Sequence, residues 1–483
     1  MNIKIDKNTR LAKLTEPHHR TSTRMSPFNQ PAFPSQEELL LSPPVSSERT
    51  SSVGRPQRAP AGGSSLLTAT AWKTFLAATL GYSLFYVCRM SLSVVKGPLI
   101  SEGIFTEFQI GVIGSALLYS YALGKLVNGF LADRVDIRKF AAWGLFISAA
   151  INLLLGFHVG FFLFFTLWLV NGWVQSMGAP SFIIGLTRWF SAEVRGTYYG
   201  LWSSSHNIGE ALTFVMTGAV VGSFGWRKGW WLSAAIGFVG VLIIWFFFRD
   251  KPGRSEEQAA VAATDPAQER REAKVAHSRL LRNPLVWLIS LASMFMYISR
   301  YSVNSWGIFF LENAKGYSIE EASLIISVAS IFGIVGTVSS GLLSDKFFAG
   351  ERFAPTVLAG LVNALSLTIF VLTPHILSLD LACMVGFGVT IGALLCYLGG
   401  LIAVDIADKH ATGAALGIVG MASNAGAGTQ DIFSGYLIGA NKYVVHGVSS
   451  YNFLPMGIFW ITSAVLSVLI SAIAWRYRER KRF

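Results

Sequence analysis

The chain has 483 residues, of which 52% are hydrophobic and only 14% charged; soluble globular domains carry about 25% charged residues, so a soluble fold is excluded. Its net charge of +12 invites a nucleic-acid reading, but the basic residues gather at the termini and in alternate loops, a pattern that reports membrane orientation. Cys88, Cys383 and Cys396 fall singly in apolar segments without metal-ligand spacing, which speaks against a disulfide framework or a zinc site.

Residues 1–70, rich in Ser, Thr, Pro and basic side chains and without apolar periodicity, are read as a disordered basic cytoplasmic tail. Asp6, Glu16, Glu37, Glu38 and Glu48 within it argue against an organelle transit peptide. Six apolar runs of about 20 residues, the length that crosses a bilayer, begin near Trp72, Gln109, Phe140, Phe161, Thr197 and Gly229 and form a bundle over residues 71–249. A charged cytoplasmic linker over 250–283 follows, with a short helical stretch at 269–274. Six more runs, from Pro284, Ala322, Phe353, Asp380, Thr412 and Asn452, form a second bundle over 284–476, and 477–483 is a basic cytoplasmic tail. The expected fold is an all-α polytopic membrane protein with twelve transmembrane helices in two pseudo-symmetric six-helix bundles. The loops facing away from the basic side hold only Lys96, Arg227, Lys228, Lys315 and Lys442, so the positive-inside rule puts both termini in the cytoplasm.

Arg89 sits about halfway along the first run, where a charge costs at least about 2.5–3.5 kcal/mol and normally faces a polar interior. Tyr82, Tyr86, Arg89 and Ser93 share one helical face with it. The stripe recurs in the seventh run as Ser293, Tyr297, Arg300 and Asn304, and both copies read Tyr-x-x-Arg-x-Ser. Gly129-Phe-Leu-Ala-Asp133-Arg134 after the second run returns as Gly341-Leu-Leu-Ser-Asp345-Lys346 after the eighth, and Gly200, Asn207 and Gly209 return as Gly417, Asn424 and Gly426. Two six-span copies with the same direction make a parallel duplication about an axis normal to the membrane.

The Gly129-x-x-x-Asp133-Arg134 loop followed by Arg138-Lys139 resembles the signature loop of the major facilitator superfamily. In it Gly129 is expected to let two helices approach closely. Residues 172–180 (GWVQSMGAP), Arg188-Trp189-Phe190, Lys125, Ser205-His206-Asn207-Ile208-Gly209 and the Arg89/Arg300 pair together resemble the organophosphate:phosphate antiporter family. Residues 344–352 are similar to its hexose-phosphate branch, which holds transporters and a transporter-like sensor. The resemblance covers residues 72–476 and departs from the family at Met90 (often Lys), Ser181 (often Pro), Glu210 (often Gly), and Leu416 and Val419 (Asp and Lys in hexose-phosphate transporters).

The resemblance implies exchange of an organic phosphate, a sugar phosphate such as hexose 6-phosphate, for inorganic phosphate by alternating access. A phosphate monoester carries about −1.5 to −2 charges near neutral pH. Two arginine forks, one from each bundle, suit it because each donates paired bonds and stays charged when partly dehydrated. Substrate contacts are expected from Arg89, Arg300, Lys125, His206, Tyr86, Tyr297, Asn304 and Tyr82. Lys125 either holds phosphate or forms an ion pair, and His206, grouped with Ser203, Asn207 and Glu210, either meets substrate or packs through hydrogen bonds. Glu210 is either a buried counter-charge or the holder of a cationic substrate group. Asp431, about 28 Å along its helix from Thr412, is expected near the outer mouth.

No Gly-x-x-x-x-Gly-Lys-Ser/Thr motif and no nucleophile, metal or paired-carboxylate constellation occurs, so neither ATP use nor an enzyme is read here. The expected partners are organic phosphate, inorganic phosphate and the lipid bilayer, with no nucleic acid and no cofactor, for a monomer in a bacterial inner membrane or, alternatively, an organelle envelope. The other functional reading is a membrane sensor of external sugar phosphate that signals to a partner kinase.

Overall fold

Within lipid a backbone must satisfy its own polar groups, so runs this apolar have no spanning option but helix or closed barrel. Long runs without period-2 alternation choose helix. The computed structural model describes residues 64–483 apart from 158–159, 191, 251–265, 409–410, 447 and 481–483. Residues 1–63 of the tail expected over 1–70, residues 251–265 of the charged linker and residues 481–483 of the basic tail lie outside the described residues, whereas 64–70, expected within the tail, form the first turns of the first helix because they run on unbroken into its apolar stretch.

The first set of helices is α1 (Ser64–Ser101), α2 (Glu107–Ala132), α3 (Ile137–Leu155), α4 (Phe161–Trp189), α5 (Thr197–Phe224) and α6 (Trp226–Phe247). A linker helix, Pro266–Arg282, replaces the shorter stretch expected from sequence; its proline at the first helical position is pre-set for a helix start. The second set is α7 (Pro284–Lys315), α8 (Ile319–Phe347), α9 (Phe353–Leu372), α10 (Leu377–Ile406), α11 (Thr412–Ala440) and α12 (Leu454–Arg480). A two-stranded hairpin, β1 (Lys442–Val445) and β2 (Val448–Tyr451), joins the last two. Eleven of the helices are both long and apolar enough to cross a membrane. The remaining one, α11, has the length, 29 residues, but is built largely from Gly, Ala, Ser and Asn.

The duplication read from sequence extends to caps and packing. Thr106 with Gln109 opens α2, and Ser318 with Glu321 opens α8, each through a reciprocal capping box that satisfies two orphan N–H groups. The pairings α2–α4, α1–α5, α1–α6 and α3–α6 recur as α8–α10, α7–α11, α7–α12 and α9–α12. At the first of these the α4 backbone at Gly172 lies directly on the α2 backbone at Leu117, and Gly388 of α10 lies likewise on Ala329 of α8. No side chain fits at either crossing. The two sets meet through α1–α7, α2–α11 and α5–α8.

Three helices are not regular throughout, the first being α4, which a turn at Ser176–Met177 divides. A π turn interrupts α5 at Thr213–Thr217, just beyond Glu210, and another interrupts α10 at Tyr397–Leu401. Such turns widen the helix locally and are frequent at functional sites.

Candidate functional site

The polar stripes of α1 and α7 face one another. Between them lies a cavity of about 230 Å³ whose lining includes Tyr82, Tyr86 and Arg89 from α1, Tyr121 and Lys125 from α2, Trp202 and His206 from α5, Tyr297, Arg300 and Tyr301 from α7, and Asn424 from α11. Arg89 and Arg300 are 6% and 3% exposed, so neither charge is relieved by bulk water. Arg89 Nη2 donates to the Tyr301 hydroxyl at 2.9 Å, and its guanidinium lies 4.2 Å from the centre of the Tyr121 ring and 5.3 Å from that of Tyr86. Its Nε has no protein partner. Arg300 is different: it forms an ion pair with Glu210 of α5 and lies 5.8 and 5.6 Å from the ring centres of Tyr297 and Tyr301.

Seven of the eight residues expected from sequence line this cavity: Arg89, Arg300, Lys125, His206, Tyr86, Tyr297 and Tyr82. The eighth, Asn304, lies one turn further along α7 and lines a separate small void with Glu210, Arg300 and Ser330. Lys125 is exposed at the mouth, 5.8 Å from the Tyr121 ring centre. The Nε2 of His206 is buried without a hydrogen-bond partner, and its ring lies 5.9 Å from Tyr86. Tyr82 stacks on Trp202 at 4.9 Å. Of the two readings open for Glu210, the structure has it as the counter-charge. Tyr121, Trp202 and Asn424 are not among the expected contacts; the repeat that pairs Asn424 with Asn207 is the sequence signal that points to one of them.

Each arginine stands on a braced stretch of helix. Asn152 of α3 and Asn171 of α4 both donate to the carbonyl of Cys88, beside Arg89, at 3.0 and 3.2 Å, while Gln175 donates to the Phe85 carbonyl at 2.9 Å. In the second set Ser299, beside Arg300 and at the position of Cys88 in the repeat, donates to Asn363 of α9 at 3.1 Å, and Asn363 is the repeat partner of Asn152, which accepts from Ser91 at 2.8 Å. These side chains tie irregularly spaced helices together at the depth of the site. Their contribution was invisible to helical periodicity because their partners lie on other helices.

The end away from the signature loops is shut. Lys96 is fully buried, pairs with Asp431 of α11 at 2.8 Å and lies 4.2 Å from the Trp306 ring centre; Asp431 also accepts from Ser305 and Trp306. This corrects two expectations. Lys96 is no loop residue, because α1 runs past Pro98 to Ser101, and Asp431 is sealed beneath the closed end and not exposed at a mouth. Lys315 is likewise the last residue of α7, buried against Asp380. Above them Glu107 accepts from Lys442 and Tyr451 at 2.9 and 2.7 Å; burial, reinforced by this bond to the carboxylate, keeps the Tyr451 hydroxyl protonated well above the usual range. Here Gly111 and Gly435 carry the close contacts of α2 with α11, and Gly218 and Gly222 those of α5 with α8.

At the signature-loop end Gly129, Gly200, Gly341, Gly413 and Gly417 face open space. The close helix approach expected at Gly129 is therefore absent, since the two sets part at this end. The cavity is occluded on one side and reached from the other.

The model of the Major Facilitator Superfamily matches residues 64–429. The chain belongs to that superfamily. It is 31% identical over 405 residues to a probable hexose phosphate transport protein of Chlamydia muridarum, covering 78% of this chain and 86% of that one. It is 30% identical over 373 residues to the membrane sensor protein UhpC of Salmonella typhimurium, covering 74% and 83%. Among solved structures, a bacterial homolog of the human lysosomal transporter Spinster superposes with a TM-score of 0.69 at 18% identity, over 86% of this chain and 97% of that one, which speaks for the fold. Within the superfamily the relatives agree with the organophosphate:phosphate antiporter branch read from the motifs. This superfamily member is a multi-pass integral membrane protein and not an enzyme.

Proposed function

We propose that the protein is a secondary transporter that exchanges an organophosphate, a sugar phosphate such as hexose 6-phosphate, for inorganic phosphate. The observation that carries this reading is the meeting of Arg89 and Arg300, one from each helix set, at the floor of one cavity closed on a single side. A phosphate held by both forks links the two sets, so the sets rock around a loaded site and expose it to either face in turn. Without an anion, Arg89 would pass through the occluded state between the two sets uncompensated, which disfavours an empty return and makes the process exchange. Lys125, at the mouth, draws the anion in, and Tyr82, Tyr86, Tyr297 and His206 contact its organic part. The similarity to a hexose phosphate transport protein supports the substrate class.

The charge pattern supports a basic side in the cytoplasm of a bacterial inner membrane, with both termini there, so that the cavity is inward-facing. The test is uptake of labelled phosphate by proteoliposomes preloaded with sugar phosphates, glycerol phosphate or phosphoglycerates. Exchange with at least one hexose phosphate is expected; no exchange with any of them rejects the reading. The 30% identity to a membrane sensor favours a second reading, a receptor for external sugar phosphate acting through a partner kinase. Saturable binding with no counterflow would select it.

A further inference from the structure

Resting on the transport reading, the ion pair between Glu210 and Arg300 raises a question of charge balance. Glu210 is 2% exposed, and besides Arg300 it is met by the Ser330 hydroxyl at 3.4 Å. The groups around it are Arg89 and Tyr86 on α1, His206 on its own helix, Arg300, Tyr301 and Asn304 on α7 and Ser330 on α8. From α10 the small void beside it is lined by the apolar Phe387, Gly388 and Ile391. Lys125 stands apart at the exposed mouth.

The buried cations at the site are thus two guanidinium groups, and in the unloaded protein one of them is already neutralised. A phosphate monoester dianion that engages both guanidiniums balances their charge by itself. The Glu210 carboxylate is then a surplus buried negative charge beside a dianion, an arrangement that low-dielectric surroundings strongly disfavour. The sequence resemblance adds that Glu210 stands where the antiporter family often has glycine, so the surplus belongs to this chain.

We propose that the organophosphate binds together with one proton, which comes to rest on Glu210. The carboxylate gains the proton as Arg300 turns from it to the phosphate, and the resulting neutral acid is bonded to Ser330 or to a phosphate oxygen. Release of substrate frees the proton and restores the Glu210–Arg300 pair. Phosphate loading is thereby coupled to a proton as well as to the counter-substrate, and Glu210 is the residue that sets this stoichiometry.

The test is calorimetric titration of the purified full-length protein with glucose 6-phosphate near pH 8. There the ester, with a second pKa of about 6, is already a dianion. Running it in two buffers of different ionisation heat counts protons taken up. About one proton per ligand is expected for the wild type and about none for Glu210→Gln, with Glu210→Gly as the second variant should the first not fold. Zero uptake by the wild type overturns the proposal. So does an uptake of one proton that persists in Glu210→Gln or Glu210→Gly, because the proton then rides on the phosphate or on His206. Uptake lost in His206→Gln and kept in Glu210→Gln overturns it too, in favour of the imidazole. Absence of any binding of glucose 6-phosphate or inorganic phosphate to the wild type rejects the transport reading itself, a result distinct from binding without protons.

Discussion

The two arginines differ in what surrounds them, and that difference shapes their expected behaviour. Arg89 is held by Tyr301 and by the face of Tyr121, whereas Arg300 is held by a carboxylate. Replacement of either by Lys keeps the charge but removes the planar fork. Under the proposed function Arg89→Lys and Arg300→Lys each lower phosphate exchange in proteoliposomes at least tenfold, and unimpaired exchange in either would reject the clamp. Lys96 and Asp431 form another buried pair, away from the cavity. Lys96→Met leaves Asp431 without its cation and is expected to destabilise the protein by about 3–5 kcal/mol, read as a lowered melting temperature, with most of the loss recovered in Lys96→Met/Asp431→Leu. The arginines are legible in the sequence because a charge in an apolar run stands out. Lys96 is not, because hydropathy draws the helix end at Pro98 whereas α1 continues to Ser101.

At the level of helices, the boundaries were largely legible: runs expected to begin at Phe161, Pro284, Phe353 and Thr412 begin there, while the helix expected from Thr197 already starts at Ala192. The π turns of α5 and α10 were not, since they come from packing between helices and leave no signature in composition. The close approach of α5 to α8 rests on Gly218, whose Cα faces Ser323 with no room for a side chain. Gly218→Val is expected to wedge this contact open. In a Gly218→Val background, a cysteine placed at Ser323, which is 1% exposed, would be labelled several-fold faster by an impermeant maleimide than in the parent. Equal labelling would mean that α5 and α8 part elsewhere.

For the whole molecule, alternation between states requires the closed end to open. A β-carbon at Gly439 would lie 3.6 Å from that of Glu107, within the range of about 3.5–4.5 Å that a disulfide needs. Oxidation of Glu107→Cys/Gly439→Cys is expected to bridge α2 to α11 and stop exchange, with reductant restoring it. Persistent exchange in the bridged protein would show that this end need not open. Sidedness has its own check: a cysteine at Lys442 is expected to react with impermeant reagent from outside the cell, and one at Lys346 only after permeabilisation.

By itself the sequence determined the membrane class, the helical count, the duplication and the residue types at the heart of the cavity. Each of these is a local or periodic property: apolar length, charge placement, repeated spacing. Only the tertiary structure decided which end is closed, that Arg300 and not Arg89 carries a carboxylate partner, that Asn304 falls outside the cavity while Tyr121 and Trp202 fall inside it, and that Lys96 and Asp431 meet across the two helix sets. The physical reason is common to all four. Each depends on which faces of helices distant in sequence come together, and helical periodicity says which face is polar without saying what it will meet.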